Sequence, residues 1–206
     1  MTITRPVAFN KRIFTLATLL RSVRDLIAHV GDLRLAVSQR QVSRAFAEKI
    51  MLAVTQVNGC RYCSYAHARM ALKAGIDVEE LQQLMHGDFQ SVALTELVAI
   101  LFAQQYAEQR DQIDTDAWQR LTDTYGLDTA QAIMAYIRMI TVANLLGNTF
   151  DAVLSRFAGR PAPGSRFIEE IGVLTLALLL TIISPLVVLT YRLMSRFYPA
   201  GAPSPL

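Results

Sequence analysis

Cys60 and Cys63 are the only two cysteines of the 206-residue chain, and only Arg61 and Tyr62 separate them. A pair this close either closes a disulfide within one turn or offers two soft sulfur ligands to a metal, so it concerns redox or metal chemistry. It is no disulfide framework of the kind that staples small secreted domains. The preceding Asn58-Gly59 reads as a helix stop, which sets both cysteines in the first turn of the next helix. Unpartnered backbone N–H groups and the positive end of the helix dipole favour an anion there, so a thiolate forms at lower pH than at a free thiol.

His67 follows Cys63 by four residues and Cys60 by seven, so a helix puts the three side chains on one face. A neutral imidazole at that spacing takes the thiol proton and then favours the thiolate by its own charge. Glu48 belongs to the preceding helical stretch, on a face carrying Ala45, Met51, Leu52 and Thr55, with Arg44 as its one charged member. A carboxylate aimed at a core costs free energy unless paired, so Glu48 is expected either to bond Arg44 or to serve a proton-transfer chain. A zinc reading uses the same residues, with Cys60, Cys63 and His67 as three ligands and Glu48 or His86 as the fourth. Structural zinc sites usually bring two paired motifs and this chain has one, so the redox reading is preferred and no metal is expected. No glycine-rich phosphate loop follows a strand, so no flavin, haem or nucleotide cofactor is expected either.

The elements that must position these residues are all helical. Apolar residues recur at spacings of three and four, and no stretch alternates with period two, which predicts an all-α fold. Helices are expected near 11–30, 39–57, 60–74, 78–86, 92–109, 115–125, 129–146, 148–158 and 167–195. Gly75 reads as a helix stop, while Asp77 with Glu80 and Asp128 with Gln131 read as capping boxes. Gly159, Pro161, Pro163, Gly164 and Ser165 cannot continue a helix. The expected organisation is a helical domain over 1–158, a linker over 159–166 and a hydrophobic helix with its tail over 167–206.

With 52% hydrophobic and 18% charged residues the chain is not disordered. Its net charge of +3 includes no Lys/Arg-rich block, so nucleic acid is not an expected partner. Residues 171–191 carry no formal charge and are rich in Leu, Ile and Val. A helix of that length matches a bilayer core of roughly 30 Å, so a membrane-spanning segment is expected, kinked at Pro185 and bracketed by Glu169, Glu170, Arg192 and Arg196. Arg156, Arg160 and Arg166 against Arg192 and Arg196 favour a cytoplasmic domain. The first helix sets Phe14, Leu19, Leu20, Val23, Leu26 and Ile27 against Lys11, Arg12, Arg21 and Arg24, a pattern that suits either packing on the domain or an interfacial contact. No small-residue cleavage site follows it, so a signal peptide is not expected.

Glu48, Cys60-Arg61-Tyr62-Cys63 and His67 together resemble the Glu, Cys-x-x-Cys, x-x-x-His signature of the carboxymuconolactone decarboxylase superfamily, in its AhpD-like alkylhydroperoxidase branch. Ala74-Gly75-Ile76, Glu79-Glu80 and Asn144 extend the likeness over roughly residues 35–155. The resemblance implies an all-helical, oligomeric domain whose cysteine pair cycles between dithiol and disulfide while reducing a hydroperoxide or serving a partner thiol. Carried over by position, Cys63 is the attacking thiolate, Cys60 the resolving thiol, and His67 with Glu48 the proton relay. The best-known members hold a histidine between the cysteines where this chain has Tyr62, which implies a shorter or slower relay. The branch that decarboxylates a lactone does not rely on the cysteine pair, so its presence argues against that activity. Two rival classes remain at the level of sequence: a membrane-tethered redox sensor or scaffold without turnover, and a zinc-stabilised module.

Overall fold

A helix over Arg44–Asn58, buried through residues 46–55, is the axis around which the chain folds. The structure is a computed structural model and describes residues 9–197, the side chains of 184–197 excepted. Among the described residues nine helices follow one another and no strand occurs: α1 (Leu16–Ala28), α2 (Val30–Gln39), α3 (Arg44–Asn58), α4 (Arg61–Lys73), α5 (Val78–His86), α6 (Leu94–Glu108), α7 (Thr115–Tyr125), α8 (Leu127–Phe157) and α9 (Phe167–Phe197). The all-α expectation is met.

α3 packs against α6 and α8, and α4 and α5 close over its other side. Ile50, Ile100, Ile133 and Ile137 are fully buried where α3, α6 and α8 meet. Burial of each such side chain contributes about 1.5–3 kcal/mol. Lys49 on α3 is also buried, and its Nζ lies 2.5 Å from Glu80 of α5 and 2.7 Å from Glu96 of α6. Burial alone would lower the lysine pKa, but bonds to the two carboxylates outweigh it and raise it, so the cation ties three helices together.

Several boundaries differ from the periodicity, each for a local reason. The expected first helix starts only at Leu16, because Thr15 and Thr18 exchange side-chain and backbone bonds in a capping box that leaves residues 10–14 outside any helix. It ends at His29, and a separate α2 fills what was expected to be a connection. The two helices expected over 129–146 and 148–158 are one, α8, which passes through Gly147. Asp128 does not cap α8; Gly126 is the capping residue and Asp128 lies in the first turn, where its charge suits the helix dipole. Asp77 does cap α5, accepting from the Glu79 and Glu80 backbones, but Glu80 turns its side chain to Lys49 instead of completing a box.

The connection over 158–166 leads into α9, whose first half lies on the domain. Val173 is fully buried with Phe14, Leu19 and Leu145, and the Glu170 carboxylate is bound by Arg156 and Ser165. On its outward side Ile168, Leu178, Leu179, Ile182 and Ile183 stay exposed. The expectation of a membrane span over 171–191 falls in part outside the described residues, since the side chains of 184–191, and with them Pro185, Arg192 and Arg196, are not described. Among the described residues α8 alone has the length and hydropathy to cross a membrane, and 56% of that window is buried, as in the core helix of a domain.

Candidate functional site

The chain turns sharply between α3 and α4, and the cysteines sit at that corner. Gly59 ends α3 in the left-handed region (φ +67°), where a side chain would be strained, and returns its N–H to Thr55. Cys60 follows in extended geometry as the N-cap of α4, its Sγ accepting from the Cys63 N–H at 3.3 Å. The two cysteines form a disulfide across a Cα–Cα distance of 5.4 Å, within the range such bonds occupy. Cys60 is buried, whereas Cys63 is partly exposed.

Glu48 and His67 come together from different helices. The Glu48 Oε2 lies 2.7 Å from His67 Nδ1, with both side chains largely shielded from solvent. Of the two alternatives left open by the sequence, Glu48 takes the histidine and not Arg44, which resolves the cost of its burial. The bond fixes the imidazole by its Nδ1 side and leaves Nε2 as the nitrogen available for proton transfer. Tyr136 of α8 also feels this carboxylate: burial first, and then the Glu48 charge, push its phenol above the ordinary value.

α8 closes the site from behind. A Cβ added at Gly147 would stand 2.7 Å from the Cys60 Sγ, 3.6 Å from a Tyr62 ring carbon and 3.7 Å from the Cys63 Sγ, so only glycine lets α8 approach the disulfide. Asn148 donates to the carbonyls of Asn58 at 2.7 Å and Arg12 at 3.0 Å, tying the corner and the N-terminal segment to α8. Thr55 donates to Asn144 at 3.1 Å. Among the described residues Asn58 Nδ2, Asn144 Nδ2 and Asn148 Oδ1 are buried without a hydrogen-bond partner, a concentration of unspent polar capacity in the α3–α8 contact that carries the corner.

Tyr62 lies over Gly147, its ring tilted against Phe150 at 5.8 Å and its hydroxyl accepting from Arg61 at 2.8 Å. Asp151 gathers Arg61 at 2.5 Å and Lys11 at 2.7 Å beside it. His86 stands apart at the end of α5, its Nδ1 bonded to the Gln82 carbonyl, and does not join the cysteines. No group of three or more His, Cys, Asp or Glu side chains among the described residues is disposed to hold a metal ion.

The sequence reading thus named Cys60, Cys63, His67 and Glu48, and the structure gathers them at the α3–α4 corner, with Tyr62 between the sulfurs in sequence and over α8 in space. It missed Gly147, Asn148, Tyr136 and Asp151, all on α8. An isolated glycine within an apolar helical pattern was the available signal, because it marks a close approach.

These features define a class: an all-helical domain carrying a Cys-x-x-Cys disulfide beside a buried glutamate–histidine pair. Residues 23–103 match the model of the carboxymuconolactone decarboxylase family, and that stretch is a domain of this family. The match runs from α1 into α6 and contains Glu48, Cys60, Cys63 and His67. No curated protein and no solved structure matches the chain.

Proposed function

We propose that the protein is a thiol-dependent hydroperoxide reductase of the AhpD-like kind, and the observation that carries this reading is the Cys60–Cys63 disulfide set beside the buried Glu48–His67 pair. The Cys63 thiolate attacks the terminal oxygen of a hydroperoxide; the O–O bond breaks, the alcohol leaves with a proton relayed by His67, and Cys63 becomes a sulfenic acid. The Cys60 thiol then displaces water from that sulfenic acid and forms the disulfide. A dithiol or protein thiol donor reduces the disulfide by exchange and is itself oxidised. The pair needs no further cofactor for this cycle.

The partial exposure of Cys63 and the burial of Cys60 support their division into attacking and resolving thiols. Glu48 holds His67 in the orientation that the relay uses. The outward apolar side chains Leu178, Leu179, Ile182 and Ile183 support the further reading that α9 meets a membrane; the arginine count on its two sides favours a cytoplasmic domain, and the family resemblance a homo-oligomer.

The test is peroxide consumption by the detergent-purified chain with a dithiol donor, beside Cys63→Ser. Turnover abolished by Cys63→Ser is expected. Turnover that survives the substitution overturns the reading, and one round of disulfide formation without turnover leaves a redox sensor in its place.

A further inference from the structure

Away from the cysteines, a cavity of about 470 Å³ opens between α1, the end of α6 and α8. Five arginines line it (Arg12, Arg21, Arg24, Arg110 and Arg138) against two carboxylates, Asp25 and Asp111. The acids are already spent: Arg12 forks onto Asp111, and Arg138 Nε lies 3.0 Å from Asp25. The side chains of Arg21, Arg24 and Arg110 make no ion pair or hydrogen bond among the described residues, and neither does the Tyr106 hydroxyl.

The backbone at the rim is unusual as well. Arg110 and Asp111 are consecutive non-glycine residues in the left-handed region, at φ +55° and +70°. L side chains adopt that conformation at a cost, and it is held here by the Asp111 N–H on the Tyr106 carbonyl and by Arg12 on the Asp111 carboxylate. The result sets both residues on the cavity wall.

Three uncompensated guanidiniums around one concavity repel each other, and an anion between them relieves that repulsion. Guanidinium forks match carboxylate and phosphate oxygens in pairs, and the cavity has the size of a small-molecule site. Ala28, Ile113 and Val142 supply an apolar wall. We infer that this cavity is a binding site for an organic anion bearing at least two negative charges, as carboxylates or phosphates, held by Arg21, Arg24 and Arg110 with the Tyr106 hydroxyl.

The site is separate from the redox centre, since none of Glu48, Cys60, Cys63 and His67 lines it. Two sources supply such an anion. One is a free metabolite; the other is a lipid headgroup, because α1 forms one wall and packs on α9, with Leu16 against Gly172.

Calorimetric titration of the detergent-purified full chain with inorganic pyrophosphate, with citrate and with dioctanoyl phosphatidate, a phosphomonoester that carries up to two negative charges, tests the inference. Saturable binding of pyrophosphate or citrate at one per chain, weakened about tenfold by Arg24→Gln and again by Arg110→Gln, is the expected result and assigns a free anion. Binding of the phosphatidate alone, weakened by the same substitutions, supports the site with a phosphomonoester headgroup as its occupant. No saturable binding of any of the three, or binding that both substitutions leave unchanged, overturns it. Both arginines are exposed and unpaired, so the variants keep the fold, which helical circular dichroism and an unchanged rate of Cys60–Cys63 oxidation verify.

Discussion

Glu48 of α3 and His67 of α4 meet at 2.7 Å, although 18 residues including a helix end and a turn lie between them. Neither has another side-chain partner among the described residues. An imidazole held by a carboxylate keeps one orientation and presents its free nitrogen in one direction. Glu48→Gln is therefore expected to lower kcat/KM for hydroperoxide by about 10²-fold, and His67→Asn by at least as much. The double variant should fall little below His67→Asn alone, because both residues act through one proton. Stopped-flow thiol oxidation of the four proteins checks this; losses that multiply would show that Glu48 acts independently of the histidine.

The two cysteines differ in access, and so should their single variants. Cys60→Ser leaves the partly exposed Cys63, which peroxide converts to a sulfenic acid that dimedone traps. Cys63→Ser leaves Cys60, 1% exposed behind α8 and the N-terminal segment, and little adduct is expected. Intact-mass spectrometry after brief peroxide exposure reads both adducts. Equal labelling of the two variants would reverse or erase the assignment of attacking and resolving thiol.

Gly147→Ala offers a test in which two effects have opposite sign. In an ordinary helix interior the exchange stabilises by about 1 kcal/mol. Here the new Cβ would stand 2.7 Å from the Cys60 Sγ, closer than any carbon–sulfur contact tolerates, so α8 or the disulfide must shift. Overpacking of that kind costs about 1–3 kcal/mol, and the net change is expected to be destabilising. The loss should be larger in the oxidised chain than in the reduced one, where the free sulfurs move apart. Urea unfolding of both forms measures it, and a stabilised oxidised variant would mean that the helix propensity term wins.

What was legible in the sequence was local. The cysteine pair at a helix start, the i to i+4 spacing of Cys63 and His67 and the glycine stop before them are all fixed by neighbours within one turn. The partner of Glu48 was not, because Arg44 competes at helical spacing while His67 reaches it only once α4 folds back on α3. The same reason hid the continuity of α8: read alone, Gly147 weakens a helix, and only the sulfur packed against it explains its place. Thr15 and Thr18 show the converse, a local cap that apolar periodicity overlooks.

Glu170 couples the docking of α9 to pH. Its buried carboxylate accepts from Arg156 Nε at 3.0 Å, from Arg156 Nη2 at 2.8 Å and from Ser165 at 2.5 Å. The Arg156 bonds, opposed by burial and aided by Ser165, hold its pKa below the ordinary carboxylate range. A depressed carboxylate stabilises the folded state fully above its unfolded value, and that contribution fades as pH falls through the folded one. The start of α9 should accordingly loosen on α8 only in acid below the ordinary carboxylate range, while the α3–α6–α8 core stays protected. Glu170→Gln should produce the same loosening at neutral pH, on the order of 1–3 kcal/mol, because it removes the charge but leaves the Arg156 cation in place. Hydrogen exchange over residues 167–176 reads both, with Glu169→Gln, a neighbour in the same first turn that makes no ion pair among the described residues, as the control. If exchange at the start of α9 is unaltered by acid and by Glu170→Gln, then Val173 and its apolar neighbours hold the helix without the ion pair.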